Sequence, residues 1–329
     1  MTGTIAIIGA GRIGSVHARA IGENLPGVRV VLADVLPERA AAVAEEVGAS
    51  SVLLDEVWSI PELSAVAICT GTDTHVDYIV RAAQEGIPVF CEKPVSLNLA
   101  EVDRAQAAIE ASGIAFMVGF HKRFDPTHRA TKQAIEDGKV GGIHLVRITT
   151  RDPQPPPREY LAVSGGIFLD MTIHDFDMAR FLVDSPVVEI FARGAVRIDP
   201  VFEEEGDFDT AVVWMKHESG AMTIIDNSRQ ASYGHDQRVE VFGSAGMVSS
   251  TNERVDATEV MDASGRHAAV VPHHFLERYG PAYGREWLAF WSYLTGGGPS
   301  PVSIADGRAP VELGVRAWES ARSGLPVVL

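Results

Sequence analysis

Short apolar runs alternate with longer amphipathic segments over residues 1–121. The runs are rich in β-branched residues, and the segments between them are Ala-rich with apolar residues at helical spacing. The pattern predicts strands at TIAIIG, VRVVLAD, SVLL, AVAICTG, IPVFCEKP and IAFMVGF. Strands that alternate with helices need crossover connections, which give a parallel sheet covered on both faces. We therefore expect a doubly wound α/β domain over residues 1–121.

The alternation stops after residue 121, and residues 122–329 predict an α+β domain. A helix at PTHRATKQAIEDG precedes a strand at IHLVRITTRD, and the proline-rich stretch PQPPPREYLAVSGG predicts a loop. The apolar runs that follow are VVEIFARGAV, DTAVVWMKHES, GAMTIIDNSR, QRVEVFGSAG and MVSST. Short turns separate these runs, so we expect a large, mostly antiparallel sheet.

The second sheet carries apolar residues on both of its faces. AVVWM and MTII, at residues 211–215 and 222–225, are apolar at alternate and intervening positions alike. Helices of the same chain can cover one face, and too few helical segments remain for the other. We expect a subunit interface there, with cover by an internal loop as the alternative.

Composition excludes several classes of protein. Hydrophobic residues make up 46% and charged residues 22%, as in soluble globular proteins. No run reaches the roughly 18 apolar residues of a membrane helix, and the N-terminus lacks the features of a secretion signal. The net charge of -16 opposes binding to nucleic acid or to an anionic membrane. Cys69 and Cys91 lie in apolar runs and predict buried free thiols, so we expect a cytoplasmic protein.

A glycine-rich turn joins the first predicted strand to the first predicted helix. IAIIGAGRIGSVHARAI holds Gly9, Gly11 and Gly14 in the spacing of a dinucleotide-binding turn, with Arg12 and Ile13 between the last two glycines. The helix N-terminus would face a pyrophosphate with its positive end. The flanking strand and helix make this a Rossmann-type site rather than an isolated glycine pattern.

Asp34 ends the second predicted strand, twenty residues after Gly14. A carboxylate at this position can accept hydrogen bonds from the two ribose hydroxyls of an adenosine and would repel a 2'-phosphate. We therefore expect NAD rather than NADP, although Arg39 lies close in the sequence.

Polar residues follow the fourth and fifth predicted strands, at the edge where open parallel sheets bind ligands. Thr70, Thr72 and His75 follow the fourth strand, and Glu92 and Lys93 follow the fifth. We expect Thr70, Thr72, His75 and Glu92 to contact the cofactor. Lys93, taken by itself, can be a solvated lysine or a functional one.

The segment LDMTIHDFD surrounds a histidine with aspartates. If it forms one helix, Asp170, His174 and Asp177 lie on one face and could bind a metal, transfer a proton or meet water. Three ligands on one short helix rarely suffice for a metal, and a fourth would have to come from elsewhere, such as the pair at residues 273 and 274. We expect no metal site, and we expect Asp175 and Asp177 to be structural.

Five segments together resemble one protein family: GAGRIG, CTGTDTH, EKP, MVGFHKRFDP and GGIFLDMTIHDFDMARFL. In this order and spacing they resemble the Gfo/Idh/MocA (glucose-fructose oxidoreductase) family, and within it the inositol 2-dehydrogenases most closely. The resemblance covers essentially the whole chain. It implies that NAD oxidises a ring hydroxyl of myo-inositol or a similar cyclic polyol, and that the protein forms a homotetramer through the second sheet.

The resemblance also implies roles for individual residues. Lys93, Asp170 and His174 would face the nicotinamide, with His174 as general base, Asp170 orienting it or binding substrate hydroxyls, and Lys93 stabilising the developing alkoxide. The expected substrate-binding residues are Arg123, Tyr233 and His235, with an interdomain salt bridge for Arg123 and a core position for Tyr233 as the alternatives.

The sequence departs from the family pattern at three places, which leaves the polyol open. HKRFDP replaces NRRFDP, His235 replaces a tyrosine, and Gly71 replaces a proline. The alternatives are the same chemistry on another sugar, such as an aldose, an anhydrosugar or scyllo-inositol, and a non-catalytic regulator that binds NAD.

Overall fold

The computed structural model describes residues 2–329, which form two compact units. The first unit extends to Phe124 and also includes Pro281–Val311, and the second comprises Asp125–Gly280 and Glu312–Leu329. The domain division after residue 121 stays a prediction. The two units differ from this division in one respect: a late segment of the chain, Pro281–Val311, belongs to the first unit.

The first unit contains a six-stranded parallel sheet of the predicted doubly wound type, with strand order β3-β2-β1-β4-β5-β6. Its elements before residue 125 are β1 (Gly3–Ile8), α1 (Arg12–Asn24), β2 (Val28–Ala33), α2 (Pro37–Val47), β3 (Ser50–Ser51), β4 (Leu63–Ile68), α3 (His75–Gln84), β5 (Val89–Glu92), α4 (Leu99–Ser112) and β6 (Phe116–Gly119). Short 3-10 segments lie at Leu54–Ser59, Thr72–Thr74 and His121–Phe124. The strand predicted at SVLL is therefore two residues long, and a 3-10 turn begins at Leu54.

Local signals in the sequence set the helix ends of this unit. Pro37 opens α2 at a position where its missing N–H costs nothing, and Gly48 ends it in the left-handed conformation. Asn98 caps α4 by accepting a hydrogen bond from Ala100 N–H. Because the central strands are buried on both faces, their apolar runs are continuous rather than alternating.

The second unit contains a seven-stranded sheet with strand order β12-β11-β7-β10-β9-β8-β15. The remaining elements of the chain are α5 (Pro126–Glu136), β7 (Ile143–Arg151), α6 (Arg158–Ser164), α7 (Gly166–Asp170), α8 (Ile173–Val183), β8 (Val187–Ala195), α9 (Val201–Glu204), β9 (Thr210–His217), β10 (Met222–Ser228), β11 (Asp236–Gly243), β12 (Met247–Ser250), β13 (Glu259–Asp262), β14 (Gly265–Ala268), α10 (Phe275–Gly296), α11 (Ile304–Ser323) and β15 (Val327–Val328). The β7–β10 pair is parallel and the other pairs of this sheet are antiparallel. The prediction of a mostly antiparallel sheet is confirmed.

The two faces of the second sheet differ in burial. Alternate residues of β9 and β10, such as Val213 and Ile225, are fully buried in a core shared with α7, α8 and the end of α11. Their neighbours on the other face are open, with Val212 51%, Met222 40% and, on β11, Phe242 48% exposed. That a partner subunit covers this face stays a prediction.

Two predictions about the segment before β8 are wrong. The predicted proline-rich loop contains α6, because its prolines end at Pro157 and restrict only the residues up to the helix start. LDMTIHDFD forms two helices, α7 and α8, rather than one. Thr172 N–H bonds to Ile167 O, and its hydroxyl donates to Asn227 Oδ1, 55 positions away, at 2.6 Å. With these two contacts the helix breaks between Asp170 and His174.

The structure shows the state of the two cysteines and the character of the helices. Cys69 and Cys91 are buried and free, as predicted, and burial raises the pKa of both. Of the helices that residues 2–329 form, none has the length and apolar character needed to cross a bilayer.

Candidate active site

The glycine turn between β1 and α1 is shaped by close backbone approach. Gly9 has φ +100, a left-handed conformation, and a Cβ added there would lie 2.6 Å from Cys69 O. A Cβ on Gly14 would lie 1.9 Å from Gly9 O, so α1 could not pack against the turn. Gly11, the N-cap of α1, has nothing within 4 Å of its added Cβ. The turn thus leaves open space beside the N-terminus of α1, where Arg12 and Ile13 begin the first turn.

Asp34 follows β2 and faces the same turn. Its Oδ2 accepts a hydrogen bond from Ala10 N–H at 2.7 Å, and its Oδ1 accepts one from Leu36 N–H at 2.9 Å. Arg39 lies 3.8 Å from the carboxylate and is half exposed. Each carboxylate oxygen keeps a lone pair, so the fixed anion can still accept from ribose hydroxyls. The open space at Gly11 and the placement of Asp34 fit an NAD adenosine and pyrophosphate.

The loops after β4 and β5 are tied together by a buried histidine. His75 is 1% exposed, with Nδ1 2.9 Å from Pro94 O and Nε2 3.1 Å from Thr70 O. Burial lowers the pKa of His75, so the ring is neutral at pH 7 and donates to one carbonyl at a time. Thr74 in turn donates to the Thr70 hydroxyl at 2.7 Å. Contact of Thr70, Thr72 and His75 with the cofactor stays a prediction.

Glu92 belongs to a buried chain of hydrogen bonds that the sequence analysis missed. Its Oε1 lies 2.7 Å from His17 Nε2, and its Oε2 accepts from Lys93 N–H at 3.0 Å. Trp287 Nε1–H donates to His17 Nδ1 at 2.9 Å. An indole N–H can only donate, so the His17 proton sits on Nε2 and points at Glu92. The chain holds the backbone of Lys93, and the predicted cofactor contact of Glu92 stays a prediction.

A signal for His17 exists in the sequence. In α1 it falls on the same face as Gly14 and Ile21, both fully or largely buried, so a polar ring is placed where an apolar side chain is expected. A buried polar group needs a partner. That the partner is Trp287, 270 positions away, has no signature in the sequence.

In the second unit, Asp170 is the last residue of α7 and His174 lies in the first turn of α8. Asp170 Oδ1 accepts a hydrogen bond from Tyr160 OH at 2.7 Å, and Oδ2 accepts one from Arg229 Nη1 at 2.8 Å. Arg229 is 2% exposed and Tyr160 is 42% exposed. Neither partner of Asp170 was found from the sequence, because one lies in a segment predicted to be a loop and the other follows a distant strand.

The other two acids of LDMTIHDFD are buried. Asp175 accepts hydrogen bonds from Thr150 Oγ1 at 2.7 Å and from Asn227 Nδ2 at 2.8 Å, which ties α8 to β7 and β10. These contacts agree with the structural role predicted for Asp175, which stays a prediction. Asp177 is 1% exposed. Residues 273 and 274 are exposed, and within residues 2–329 no group of three or more His, Cys, Asp or Glu side chains is placed to hold a metal ion.

The three expected substrate-binding residues have the following contacts. Arg123 Nη2 donates to Asp306 Oδ1 at 3.1 Å within the first unit. Tyr233 is 49% exposed, and its OH donates to Asp236 Oδ2 at 2.5 Å. His235 is buried, with Nε2 3.5 Å from Asp152 Oδ1. Their roles toward a substrate stay predictions.

Comparisons with known proteins agree with the architecture of both units. Residues 4–120 match the model of the oxidoreductase family with an NAD-binding Rossmann fold, and residues 128–249 match the model of the GFO/IDH/MocA C-terminal domain. A myo-inositol 2-dehydrogenase from Thermotoga maritima is 42% identical over 318 residues, covering 96% of this chain and 95% of that protein.

Solved structures agree with these matches. The crystal structure of a myo-inositol dehydrogenase from Corynebacterium glutamicum has a TM-score of 0.95 at 40% identity, covering 100% of this chain and 99% of that one. A scyllo-inositol dehydrogenase from Lactobacillus casei, solved with NAD(H) and scyllo-inositol, has a TM-score of 0.91 at 27% identity, with 100% and 99% coverage. The resemblance inferred from the sequence is confirmed, and the chain belongs to the GFO/IDH/MocA family as an NAD-dependent oxidoreductase.

Proposed function

We propose that the protein oxidises a ring hydroxyl of myo-inositol, a CH–OH group, to a ketone with NAD as the acceptor. The observation that carries the proposal is the presence, in one chain, of the Asp34 dinucleotide turn and of an Asp170 carboxylate held at the end of α7, just before the His174 helix. The 42% identity to a myo-inositol 2-dehydrogenase over nearly the full chain supports the substrate class.

Oxidation of a carbinol removes a hydride from carbon and a proton from oxygen, and a C=O bond forms. NAD, when bound, supplies the hydride acceptor. His174 takes the hydroxyl proton, since an ordinary imidazole, with a pKa of about 6.5, can act as a base around neutral pH. Lys93 stabilises the developing alkoxide with its ammonium group, and the Asp170 carboxylate orients the imidazole and stabilises it once it is protonated.

The preference for NAD over NADP rests on Asp34. Its carboxylate is fixed by Ala10 N–H and Leu36 N–H at the end of β2, so it cannot easily turn away from a 2'-phosphate. A buried or nearly buried charge of like sign opposes the phosphate, and a penalty of about 1.4 kcal/mol already gives tenfold in affinity. We expect at least tenfold weaker binding of NADP.

Initial rates with myo-inositol, scyllo-inositol and glucose, each with NAD and NADP, test the substrate and cofactor together by the absorbance of the reduced cofactor. The proposal expects the highest kcat/KM for myo-inositol with NAD. A higher value for scyllo-inositol or glucose would move the assignment to another sugar. No turnover on any polyol, with NAD still bound, would favour the regulator.

The role of His174 is tested by His174→Ala, with His267→Ala as the matched control. His267 lies in the exposed β13–β14 hairpin. The first variant should retain NAD affinity and lose kcat by about 100-fold or more, as expected for loss of a general base, and the control should keep both. Near-normal turnover of His174→Ala would refute the assigned role.

We also propose that the protein is a cytoplasmic homotetramer whose subunits associate through the open face of the second sheet. The apolar side chains exposed on that face, which include Val212, Met222 and Phe242, support the interface. The two free buried thiols support a reducing compartment.

A further inference from the structure

Two buried charged residues beside α7 have no part in the proposed mechanism. Arg229 has a side chain 3% exposed and lies between two carboxylates. Its Nη1 donates to Asp170 Oδ2 at 2.8 Å, and its Nη2 lies 3.9 Å from Asp207 Oδ2. Burying a guanidinium among few partners is costly, so the position calls for a physical explanation.

Asp207 holds the beginning of α7. This helix has five residues and starts at Gly166, directly after Gly165, and the φ values of the two glycines, 76 and 81, are left-handed. Gly165 offers no side-chain cap, and Asp207 Oδ1 instead accepts from Ile167 N–H at 2.8 Å. A Cβ on Gly166 would lie 2.7 Å from that same oxygen, so the glycine is needed for the carboxylate to approach.

Arg229 holds the end of α7 through Asp170, which is the last residue of the helix. The short helix is thus fixed at its start by Asp207 and at its end by Arg229. A helix of five residues has little stability of its own, and these two contacts compensate for it.

The charges around Asp170 favour one ionisation state. Its two oxygens accept from Tyr160 OH and from Arg229 Nη1, and hydrogen bonds to a carboxylate favour the charged form. Burial works against the charge of Arg229, but the charge of Asp170 and the hydrogen bond to it raise the pKa of Arg229 above its ordinary value. Burial raises the pKa of Asp207, and the nearby charge of Asp170 adds to this. The charge of Asp152 also raises the pKa of Arg229.

We propose that Arg229 and Asp207 are positioning residues that clamp α7 at both ends and keep Asp170 a fixed carboxylate throughout the reaction. Asp170 then acts only as an oriented anion, and the substrate proton passes to His174. This inference rests on the proposed function, because it gives Asp170 its task in that reaction.

The test compares Arg229→Met with Arg278→Met. Arg278 and Asp125 form another buried arginine–aspartate pair of the second unit, so its loss matches the first in burial and charge. Both variants should lose stability. In Arg229→Met alone, kcat should fall at least tenfold, and the acid limb of log kcat against pH should steepen from a slope near 1 towards 2, because Asp170 then takes up a proton as well as His174.

Two further readouts separate positioning from general structural damage. Arg229→Lys keeps a cation and should restore a slope near 1 at a reduced rate. In Arg229→Met, titration calorimetry of myo-inositol into the enzyme–NADH complex should show that the affinity for myo-inositol falls by a smaller factor than kcat does. An unchanged slope in Arg229→Met, or a kcat loss equal to that of Arg278→Met, would overturn the proposal.

A measurement without turnover keeps this inference separate from the proposed function. Infrared difference spectra between the wild type and Asp170→Asn report the carboxylate band of Asp170 directly. Repeated in the Arg229→Met background, the same difference should show the band lost at a higher pH than in the wild type, and loss at the same pH in both backgrounds overturns the clamp, whatever substrate the enzyme uses.

Discussion

Trp287→Phe tests the buried hydrogen-bond chain that holds the backbone of Lys93. Trp287 and His17 are both 0% exposed, so water cannot replace the indole N–H that donates to His17 Nδ1. A buried acceptor left without a partner costs about 1–3 kcal/mol. The phenyl ring keeps an aromatic group against Phe90, whose centroid lies 4.6 Å from that of the indole.

Trp291→Phe is the matched control, because the same substitution on the same helix removes no hydrogen bond. Trp291 is 4% exposed, and its Nε1 is buried without a partner. We therefore expect Trp287→Phe to lower the free energy of unfolding by about 1–3 kcal/mol more than Trp291→Phe does. In a unit of this size that difference corresponds to roughly 2–4 °C in Tm for each kcal/mol.

Urea unfolding followed by far-ultraviolet circular dichroism measures the difference in unfolding free energy between the two variants. The comparison requires equal m values. A ¹⁵N spectrum of His17 should show the proton on Nε2 in the wild type. Equal loss of stability in the two variants would refute the reasoning that the Trp287 N–H stabilises the chain.

Three further outcomes are expected. Gly11→Ala should leave the Tm unchanged, because its Cβ meets only open space in the protein, but calorimetry should show NAD binding at least tenfold weaker, because that space is the one expected to take the pyrophosphate. Gly14→Ala should instead destabilise the fold, because its Cβ would lie 1.9 Å from a backbone oxygen. Glu286 is buried, and burial, followed by the charge of Glu92, raises the pKa of its carboxyl. Above the ordinary pKa of a glutamate, the native state therefore keeps a proton that the unfolded state has released. Stability from this group is therefore lost as pH rises, and Glu286→Gln should stabilise the protein more at pH 8 than at pH 5 in urea unfolding. Val212→Glu should shift sedimentation towards smaller species, since it places a charge on the open sheet face; an unchanged sedimentation coefficient would contradict that interface.

The dinucleotide turn could be predicted because its requirements are local. The conformation at Gly9, the contact at Gly14 and the strand-end position of Asp34 all arise within one strand–turn–helix unit and the strand beside it. The periodicity that defines these elements is written in adjacent residues. The same holds for the helix ends marked by Asn98 and Gly48.

The prediction was weaker around Asp170 because distant groups decide the backbone there. The sequence spacing predicts one helix through His174, and a hydroxyl contact from Thr172 to Asn227, 55 positions away, breaks it. α6 was missed because prolines dominate the composition of a segment whose last residues are free to form a helix.

The sequence by itself determined the class of the fold, the cofactor turn and the residue types of the chemistry, since each depends on short-range patterns of apolar, glycine and titratable residues. Only the tertiary structure decided which side chains support them. Glu92 meets His17, which in turn accepts from Trp287, and Asp170 meets Arg229, through pairs 59 to 270 positions apart along the chain, while Tyr160 reaches Asp170 from α6, ten positions earlier. Burial makes each such partner obligatory, because a charge or a ring nitrogen removed from water must be paired, but it leaves no local pattern that names the partner.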